Sequence, residues 1–328
     1  MALTLTVDRA RWQAHVAAVR ATHPGLVPVV KGNGYGFGRT FLVDTVDEWG
    51  DAGGDDGDTP RELAVGTVHE LAGLALDGPR PIVLTPAVGR DLRPGVGPAV
   101  LTVGTEAHLA ALVDAGLRAP VVLKAAGAMQ RYGSAVDELP GLRQMAEAAG
   151  MDVHGYAVHP PLAGTAGDHR AEAEAVARAL PAGSTIYVSH LDADSYAVLR
   201  QAAPGQRWRI RLGTALWHGD KSFLHLTADV AQVRPVAAGQ RAGYRLHPVP
   251  ADGHLVMVTA GTAHGVHPLA GDLSPFHFAR RRLALLEAPH MHTSMVFVPT
   301  GDPIPSIGDQ VEVQHPLTRT LVDRIVER

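Results

Sequence analysis

From residue 26 to about residue 217, short continuous apolar stretches alternate with longer segments rich in alanine and leucine. Each apolar stretch ends in glycine, proline or a polar residue, which is typical of strands buried on both faces of a parallel sheet. Eight such strands separated by helical segments predict an α/β fold, a closed (β/α)8 TIM barrel. The predicted strands are Leu26–Lys31, Glu62–Thr67, Pro81–Thr85, Ala99–Val103, Pro120–Lys124, Asp152–Val158, Thr185–His190 and Arg207–Leu212, and the predicted helices include Val68–Leu76, Thr105–Gly116, Leu139–Gly150, Asp168–Leu180 and Asp194–Ala203.

The pattern changes after about residue 220. Helical periodicity disappears, and short alternating stretches punctuated by glycine and proline predict a C-terminal mostly-β domain. Residues 2–7 also alternate, and we expect them to add a strand to this domain. An acidic, glycine-rich stretch, residues 48–58, predicts a solvated loop. We predict a barrel over residues 8–220 and a β domain over residues 221–328, with strands at Leu224–Val233, His254–Ala260, Arg282–Glu287, Met295–Pro299 and Asp309–Gln314.

Composition narrows the classes of protein. The chain has 328 residues, of which 46% are hydrophobic and 19% charged, with a net charge of -4. This balance argues against nucleic-acid binding, which needs a basic face. The absence of cysteine excludes disulfides and thiolate metal sites. The N-terminus lacks the pattern of a signal peptide, and no apolar run approaches the roughly 20 residues that cross a membrane. We therefore expect a cytoplasmic protein with no membrane or nucleic-acid partner.

The most informative segment follows the first barrel strand. Lys31 ends an apolar run and is followed at once by Gly32-Asn33-Gly34-Tyr35-Gly36-Phe37-Gly38. Burial lowers the pKa of a lysine and can make its amine a nucleophile, and glycines let the backbone approach a ligand closely. These residues alone also fit a strand-end lysine that reaches solvent before an ordinary loop.

This segment resembles the pyridoxal-phosphate lysine motif of alanine racemases, usually Val-Lys-Ala-Asn/Asp-Ala-Tyr-Gly-His-Gly. Glycine replaces alanine twice here, and Phe37 replaces the histidine. The resemblance implies that Lys31 holds pyridoxal phosphate covalently and that the Tyr35 hydroxyl binds the phosphate of the cofactor.

The segment after the fifth strand resembles the Leu-Lys-Val-Asp-Thr-Gly-Met-x-Arg-Leu-Gly segment of the same family. The resemblance implies that Arg131 contacts the phenolic oxygen of the cofactor and the substrate carboxylate, which suits the planar fork of arginine. In some members the lysine that matches Lys124 is carbamylated and braces this arginine. Here Ala126-Gly127-Ala128 replaces Asp-Thr-Gly, so this bracing stays open. An arginine on an ordinary loop is the alternative.

Three further barrel strands end in residues that resemble the family. His159 matches a histidine that supports the arginine of the eighth strand. Ser195 matches, with a shift of one residue, a serine that binds phosphate at a helix N-terminus. Arg211 matches the arginine that faces the pyridine nitrogen, and the amides of Gly213 and Thr214 would hold the phosphate. Each has an alternative: His159 could be structural, Ser195 could simply start a helix, and Arg211 could form an ion pair at the end of the barrel.

An arginine beside the pyridine nitrogen has a consequence for mechanism. Because guanidinium is always charged and has no acceptor, it favours an unprotonated ring. Negative charge at the α-carbon is then less delocalised, which suppresses transamination and favours simple return of the proton.

In the second domain, Arg241-Ala242-Gly243-Tyr244-Arg245 resembles the family's Val-Ser/Gly-Tyr-Gly segment. Racemisation needs proton exchange on both faces of the α-carbon, and the resemblance implies that Tyr244 is the second base. In this family that tyrosine comes from the partner subunit, so a homodimer is implied. Met291 aligns with the family's Cys-Met-Asp-Gln segment and would offer its backbone amide to the substrate carboxylate. A plain strand tyrosine is the alternative for Tyr244.

Several entrance residues depart from the family. Thr262, His264, His292 and Val326 stand where the family has other residues, including two tyrosines. These changes predict a wider or more basic entrance that accepts a bulkier or anionic substrate. His290-x-His292 would place two rings on one face of a strand, and imidazole suits zinc, but without cysteine or a clear carboxylate ligand we assign no metal ligand.

The sequence thus predicts a divergent alanine racemase family member. It would be a pyridoxal-phosphate-dependent isomerase that uses Lys31 and the partner's Tyr244 on a small amino-acid substrate. Two alternatives stay open, a metal-assisted pyridoxal-phosphate lyase (an aldolase or dehydratase) acting on D-hydroxy amino acids and a non-catalytic pyridoxal-phosphate-binding protein.

Overall fold

The computed structural model describes residues 2–50, 61–74, 78–92 and 99–328. Most of the predicted acidic loop, residues 51–58, therefore lies outside the described residues. Contacts divide the chain into two units. The barrel unit comprises His15–Gly32 and Arg39–Trp217, and the β unit comprises Met1–Ala14, Asn33–Gly38 and His218–Arg328. The chain begins with strand β1 (Leu3–Val7), which belongs to the β unit.

In the described residues of the barrel unit, eight parallel strands form one sheet, and each overlaps one of the strands predicted from the apolar pattern. The fold is therefore an α/β barrel, as predicted. Every residue of several strands is buried, which explains why their apolar runs are continuous rather than alternating. The strands are β2 (Leu26–Pro28), β3 (Glu62–Val65), β4 (Arg80–Val83), β5 (Val100–Val103), β6 (Val121–Lys124), β7 (Val153–Ala157), β8 (Thr185–Val188) and β9 (Arg207–Leu212).

One bridge closes the barrel. The sheet runs in the order β2-β9-β8-β7-β6-β5-β4-β3. The two ends of this order meet where Val29 bridges to Ala64 and the amide of Val30 donates to the Ala64 carbonyl at 2.8 Å. Strand β2 is shorter than predicted, and the bridge follows directly after Pro28, which has no amide hydrogen to donate.

Helices follow most barrel strands, and side-chain caps fix several of their starts. Thr105, Thr165 and Asp192 each accept a hydrogen bond from an amide in the first turn of the next helix. The α-helix predicted over Val68–Leu76 is not formed in residues 68–74, the part that the structure describes. A short 3-10 helix, Val68–Leu71, stands there instead, because Ala72 is extended and ends it. The α-helices are α1 (Arg9–Thr22), α2 (Arg39–Asp47), α3 (Glu106–Asp114), α4 (Leu139–Ala148), α5 (Ala166–Ala179), α6 (Ala193–Ala202) and α7 (Thr214–Trp217), and the remaining 3-10 helices are Gly34–Gly36, Gly89–Asp91, Val136–Glu138, Thr262–His264, Ala270–Asp272 and Leu317–Arg319.

The β unit is built on one long strand that pairs with several others. Strand β1 pairs antiparallel with it, as expected for residues 2–7, and also pairs parallel with the last strand of the chain. The predicted strand Arg282–Glu287 is instead two short strands with different neighbours. The long strand is β10 (Leu224–Val236), and the others are β11 (Arg241–Ala242), β12 (His247–Pro248), β13 (Gly253–Val258), β14 (Phe276–Phe278), β15 (Arg281–Arg282), β16 (Ala284–Leu285), β17 (Ser294–Pro299), β18 (Gln310–Val313) and β19 (Arg324–Glu327).

The strands of the β unit form a larger and a smaller sheet. The larger has the order β15-β14-β18-β10-β13-β17-β16, with β1 paired to β10 and β19 paired to β1. Strands β11 and β12 form a separate two-stranded hairpin. Along β10, Leu226, Ala228 and Val230 are buried while alternate residues are not, which is the period of a sheet with one face on a core. None of the helices in the described residues combines the length and apolar character that crossing a membrane requires.

A buried polar cluster lies inside the barrel at Glu62, the first residue of β3. The Tyr187 hydroxyl donates to both carboxylate oxygens at 3.0 Å. His154 Nε2 lies 2.5 Å from Oε1, and Arg209 Nε lies 3.9 Å from Oε2. Burial and the neighbouring carboxylate raise the pKa of Tyr187, so the hydroxyl stays protonated as a donor. A buried carboxylate without hydrogen-bond partners costs free energy. Loss of one partner of Glu62 should therefore destabilise the barrel.

Replacing Tyr187 with phenylalanine should therefore cost more stability than a similar change elsewhere. We expect a loss of about 2–3 kcal/mol in the free energy of unfolding, because the bond to a charged acceptor is lost while Glu62 stays buried. Urea unfolding near neutral pH measures it. Tyr196→Phe is the matched control, since this buried hydroxyl donates to the neutral Pro24 carbonyl at 2.8 Å and should cost about 1 kcal/mol. Equal losses in the two variants would contradict the account.

Candidate active site

Charged and titratable side chains gather at the C-terminal ends of the barrel strands. Lys31 follows β2, Lys124 ends β6, His159 follows β7, and Arg211 lies in β9. The carboxyl ends of parallel strands share one rim, where the active sites of barrel enzymes lie. Electrostatic coupling supports their proximity, because the charges of Arg211, Lys124 and Arg131 all act on the pKa of His159. The structure thus brings most of the predicted barrel residues together.

Lys31 reaches solvent, yet the protein around it lowers its pKa. Desolvation is the largest cause, and the positive charges of Arg131 and Arg211 act in the same direction. The carboxylate of Glu70 opposes them without cancelling the shift. An amine with a lowered pKa is unprotonated for a larger part of the time, and only that form is a nucleophile or a base.

Lys124 is more deeply buried, with 6% of its surface exposed. Desolvation is the main cause that lowers its pKa to about 7, followed by the charges of Arg211 and Arg131. Glu172 acts in the opposite direction. The rim therefore holds two lysines whose ammonium forms are both disfavoured.

Arg211 is held by backbone carbonyls rather than by a carboxylate. Its Nη2 donates to the Val158 carbonyl at 2.8 Å, and its Nε donates to the Val188 carbonyl at 3.4 Å. Within the described residues Nη1 makes no hydrogen bond and the side chain makes no ion pair, so the alternative of a barrel-end ion pair is wrong there. Burial lowers the pKa of Arg211 to about 10, and the guanidinium remains charged at neutral pH.

His159 bonds to a serine that sequence reasoning missed. Its Nδ1 lies 2.5 Å from the Ser189 hydroxyl, and its ring centroid lies 4.7 Å from that of His190. Desolvation first, and then the charge of Arg211, lowers the pKa of His159 to about 2, so the ring is neutral. Ser189 and His190 directly follow β8, and this position at a barrel strand end was the signal that could have found them.

The loop that carries Arg131 folds back on the end of β6. The Ser134 amide donates to the Lys124 carbonyl at 3.0 Å, and the Ala126 amide donates to the Ser134 carbonyl at 2.7 Å. Gly133 has a φ of +121°, and a Cβ there would overlap backbone atoms of this loop. The fold-back leaves Arg131 exposed, with its guanidinium carbon 5.2 Å from the centre of the Tyr132 ring.

A carboxylate from helix α5 holds the same loop on its other side. Glu172 Oε1 accepts a hydrogen bond from the Ala128 amide at 3.1 Å. A Cβ on Gly127 would overlap this oxygen, so the replacement of Asp-Thr-Gly by Ala126-Gly127-Ala128 makes room for it. Sequence reasoning missed Glu172, because its partner is a backbone amide 44 residues away.

Ser195, which is predicted to bind phosphate, lies at the start of helix α6. Ser195 is the third residue of α6, and its amide donates to the Asp192 carboxylate at 2.7 Å. Asp192 caps the helix, so a carboxylate already accepts from this amide. Phosphate binding by Ser195 stays a prediction, beside the alternative of a helix-start residue. Gly213 and Thr214 follow Arg211 directly at the end of β9, where Thr214 is exposed and begins α7.

The family model described as the N-terminal domain of alanine racemase matches residues 7–220. The chain belongs to the alanine racemase family. No curated protein matches the chain.

Solved alanine racemases share the fold across nearly the whole chain. The Bartonella henselae enzyme with covalently bound pyridoxal phosphate has a TM-score of 0.71 at 17% identity, with 97% of this chain and 91% of that chain covered. The enzyme from the D-cycloserine producer Streptomyces lavendulae has a TM-score of 0.69 at 20% identity, covering 100% and 97%. The Clostridium difficile 630 enzyme has a TM-score of 0.72 at 14% identity, covering 99% and 96%. At these identities the likeness shows the fold alone.

The remaining residues that resemble alanine racemases lie in the β unit. Tyr35 is buried, with a φ of +56°, and its carbonyl accepts a hydrogen bond from His218 Nε2 at 2.7 Å. Tyr244 is 84% exposed on the turn between β11 and β12, so the alternative of a strand tyrosine is wrong. Met291 is 66% exposed, and its carbonyl accepts from the Ala263 amide at 2.8 Å.

Two of the residues that depart from the alanine racemase pattern have structural partners. His264 is buried, with Nε2 3.2 Å from Asp323 Oδ2, and its ring meets that of His292 edge-on at 5.8 Å. Val326 lies in β19, opposite Thr6 of β1. The described residues contain no group of three or more His, Asp or Glu side chains that could hold a metal ion.

Replacing Lys124 with methionine should stabilise the fold near neutral pH. The folded pKa of about 7 lies below the ordinary 10.5, so between these values the unfolded state binds the proton more strongly. The stability of the native protein therefore falls as the pH falls, and the variant lacks this loss. We expect the advantage of the variant to grow by roughly 2–4 kcal/mol from about pH 10 to about pH 7 and to stay constant below about pH 6.

Urea unfolding at a series of pH values measures this difference. Lys221→Met, at an exposed lysine of the β unit, is the matched control. An advantage of Lys124→Met that is independent of pH, or an equal pH-dependent gain in both variants, would contradict the burial of a titrating amine at this rim.

Proposed function

We propose that the protein is a pyridoxal-phosphate-dependent amino-acid racemase that uses two bases on opposite faces of the α-carbon. One observation carries the proposal. An amine of lowered pKa, Lys31, is at the catalytic rim of the barrel together with the guanidinium groups of Arg131 and Arg211.

The donor set fits the cofactor. Pyridoxal phosphate carries an anionic phosphate, a phenolic oxygen and a ring nitrogen that accepts a hydrogen bond. Arg211 is buried without a carboxylate partner in the described residues, which suits a neutral acceptor rather than a protonated ring. Arg131 and Arg211, whose charges act after desolvation to lower the pKa of both lysines, supply positive charge that suits the phosphate.

Each residue then has a role. Lys31 would hold the cofactor covalently, Arg211 would donate to its ring nitrogen, and Arg131 would donate to its phenolic oxygen. The amides of Gly213 and Thr214 would bind the phosphate, and the motif around Lys31 adds the Tyr35 hydroxyl. We assign His159 the role of a neutral neighbour of Arg211, held by the Ser189 hydroxyl at 2.5 Å.

When bound, pyridoxal phosphate withdraws electrons and so acidifies the α-hydrogen of an amino acid. Lys31 takes or returns the proton on one face of the α-carbon, and its lowered pKa suits this role near neutral pH. The partner's Tyr244 does the same on the other face. Arg211 has no acceptor to offer, so it would favour an unprotonated ring nitrogen and with it the return of the proton to the α-carbon. Arg131 and the Met291 amide bind the substrate carboxylate.

The exposure of Tyr244 supports a homodimer. A tyrosine that is 84% exposed on a hairpin turn is well placed to enter the site of a second copy. The substrate in this proposal is a small amino acid, and the altered residues Thr262 and His292 favour one that is bulkier than alanine or anionic. No observation in the described residues favours the metal-assisted lyase, and the two-unit architecture favours an enzyme over a simple cofactor carrier.

Borohydride trapping tests the cofactor assignment. Saturation with pyridoxal phosphate should give a yellow protein whose visible band borohydride abolishes. The chain has three lysines, Lys31, Lys124 and Lys221, so peptide mapping after reduction separates the candidates. We expect the label on Lys31, loss of the band in Lys31→Ala and retention in Lys221→Met. A colourless protein, or a label on another lysine, would contradict the assignment.

Mixing two inactive variants tests the shared site. Lys31→Ala and Tyr244→Phe should each lower racemisation at least about a hundredfold, since each removes one base. If each site takes Lys31 from one chain and Tyr244 from the other, a mixed dimer has one intact site. Random exchange of subunits should then restore about a quarter of the native rate. No recovery after verified exchange would mean that Tyr244 acts within its own chain or not at all.

A further inference from the structure

The turn that carries Tyr244 is built around a buried carboxylate. Glu287 follows β16, and only 4% of its side chain is exposed. Its Oε1 accepts a hydrogen bond from the Tyr244 amide at 2.8 Å, and its Oε2 accepts one from the Arg245 amide at 3.3 Å. Two successive amides of the turn are thus fixed by one side chain that is remote in sequence.

Two histidines complete the surroundings of this carboxylate. His290 Nε2 lies 2.7 Å from Oε1 and donates to it, because an ionised carboxylate can only accept. The ring of His290 also contacts the ring of Tyr244, with 4.3 Å between their centroids. On the other arm of the hairpin, His247 Nε2 lies 3.8 Å from Oε2. Glu287 therefore touches the backbone of the turn, and its partner His290 touches the tyrosine ring.

The turn leaves room for the Glu287 carboxyl group, and its hydrogen bonds keep this group ionised. Gly243 has a φ of +81°, and a Cβ there would overlap the Glu287 carboxyl group. Burial raises the pKa of Glu287, but the hydrogen bonds from the Tyr244 amide, His290 and the Arg245 amide outweigh it and leave the pKa lowered. The group stays ionised, as an anchor for N–H donors requires.

We propose that Glu287 is a positioning residue for Tyr244 and that it acts together with His290. The inference rests on the proposed function, in which Tyr244 is the second base. An exposed tyrosine on a short turn samples many directions, and a misplacement of about 1 Å can cost a factor of about a hundred in rate. Glu287 fixes the Cα of Tyr244 through the backbone, and His290 limits the directions of the ring.

The test separates the two faces of the α-carbon. Replacing Glu287 with glutamine in the full-length protein loaded with pyridoxal phosphate removes the charge and one acceptor. We expect racemisation to fall roughly tenfold to a hundredfold through kcat, with KM and the visible band unchanged. In heavy water, the enantiomer whose α-hydrogen faces Lys31 should still exchange that hydrogen for deuterium. The ratio of exchange to racemisation for that enantiomer should therefore rise at least about tenfold.

A general loss of structure would lower both rates and leave this ratio unchanged. Gly243→Ala provides a second variant that keeps the charge but displaces the carboxyl group, and the ratio should rise in it as well. Glu312→Gln, at an exposed carboxylate on β18, is the matched control and should leave the ratio at the native value. Should Glu287→Gln prove unfolded, as shown by loss of the visible band, Gly243→Ala decides the matter.

The outcomes distinguish the inference from the proposed function. If Tyr244→Phe raises the ratio while the folded Glu287→Gln and Gly243→Ala variants do not, the inference is overturned and the racemase assignment stands. If Tyr244→Phe leaves the ratio unchanged, or if the native protein racemises no amino acid in a panel of neutral and acidic substrates, the proposed function itself fails.

Discussion

The gathering of desolvated, mutually repelling cations at one rim of the barrel is the constraint on which the rest of the candidate site depends. Lys31, Lys124, Arg131 and Arg211 come together because the carboxyl ends of parallel strands meet there. In the described residues, Glu70 and Glu172 are the carboxylates that oppose the lowered pKa values of the two lysines. Desolvation is the larger cause of both lowered pKa values and the repulsion adds to it, so the arrangement favours neutral amines and a bound anion over four fully charged side chains.

The fold tolerates this repulsion because neutral groups hold the cations in place. Arg211 is fixed by carbonyls at the ends of two neighbouring strands, which satisfy its donors without cancelling its charge. The loop of Arg131 is fixed by the fold-back onto Lys124 and by the bond from the Ala128 amide to Glu172. A carboxylate partner would instead neutralise Arg211. Carbonyl ligation thus preserves both the position and the charge.

Much of the barrel could be predicted because burial on both faces leaves a direct mark on the sequence. All eight strands overlap the predicted ones, and Lys31 stands out because it ends an apolar run. Strand β9 departs from a continuous apolar run, because Arg207, Arg209 and Arg211 alternate with apolar residues along it. The helix predicted from Val68 failed because Gly73, with a φ of +81°, and the extended Ala72 end it after one turn. The composition of this segment did not indicate that the helix ends at Leu71.

Other features could not be predicted from the sequence because they depend on backbone partners far away along the chain. Glu172 and Glu287 bond to amides 44 and 43 residues distant. Every residue except proline has a backbone amide, so residue type does not reveal such a partner. The bond from the Ser195 amide to Asp192 was missed for a related reason. The capping role of Asp192, three residues earlier, is visible only once the start of α6 is known. The positions of Ser189 and His190 likewise depend on the end of β8.

The anchoring of the Tyr244 turn has a further consequence for assembly. Its three supports, Glu287, His290 and Gly243, all belong to the β unit of the same chain. These contacts therefore limit the directions of the tyrosine within a single chain. If the protein forms the proposed homodimer, association would order few additional groups of this turn, and little conformational entropy of the turn would oppose it. Such a surface could then be shared between subunits without a rearrangement of the turn.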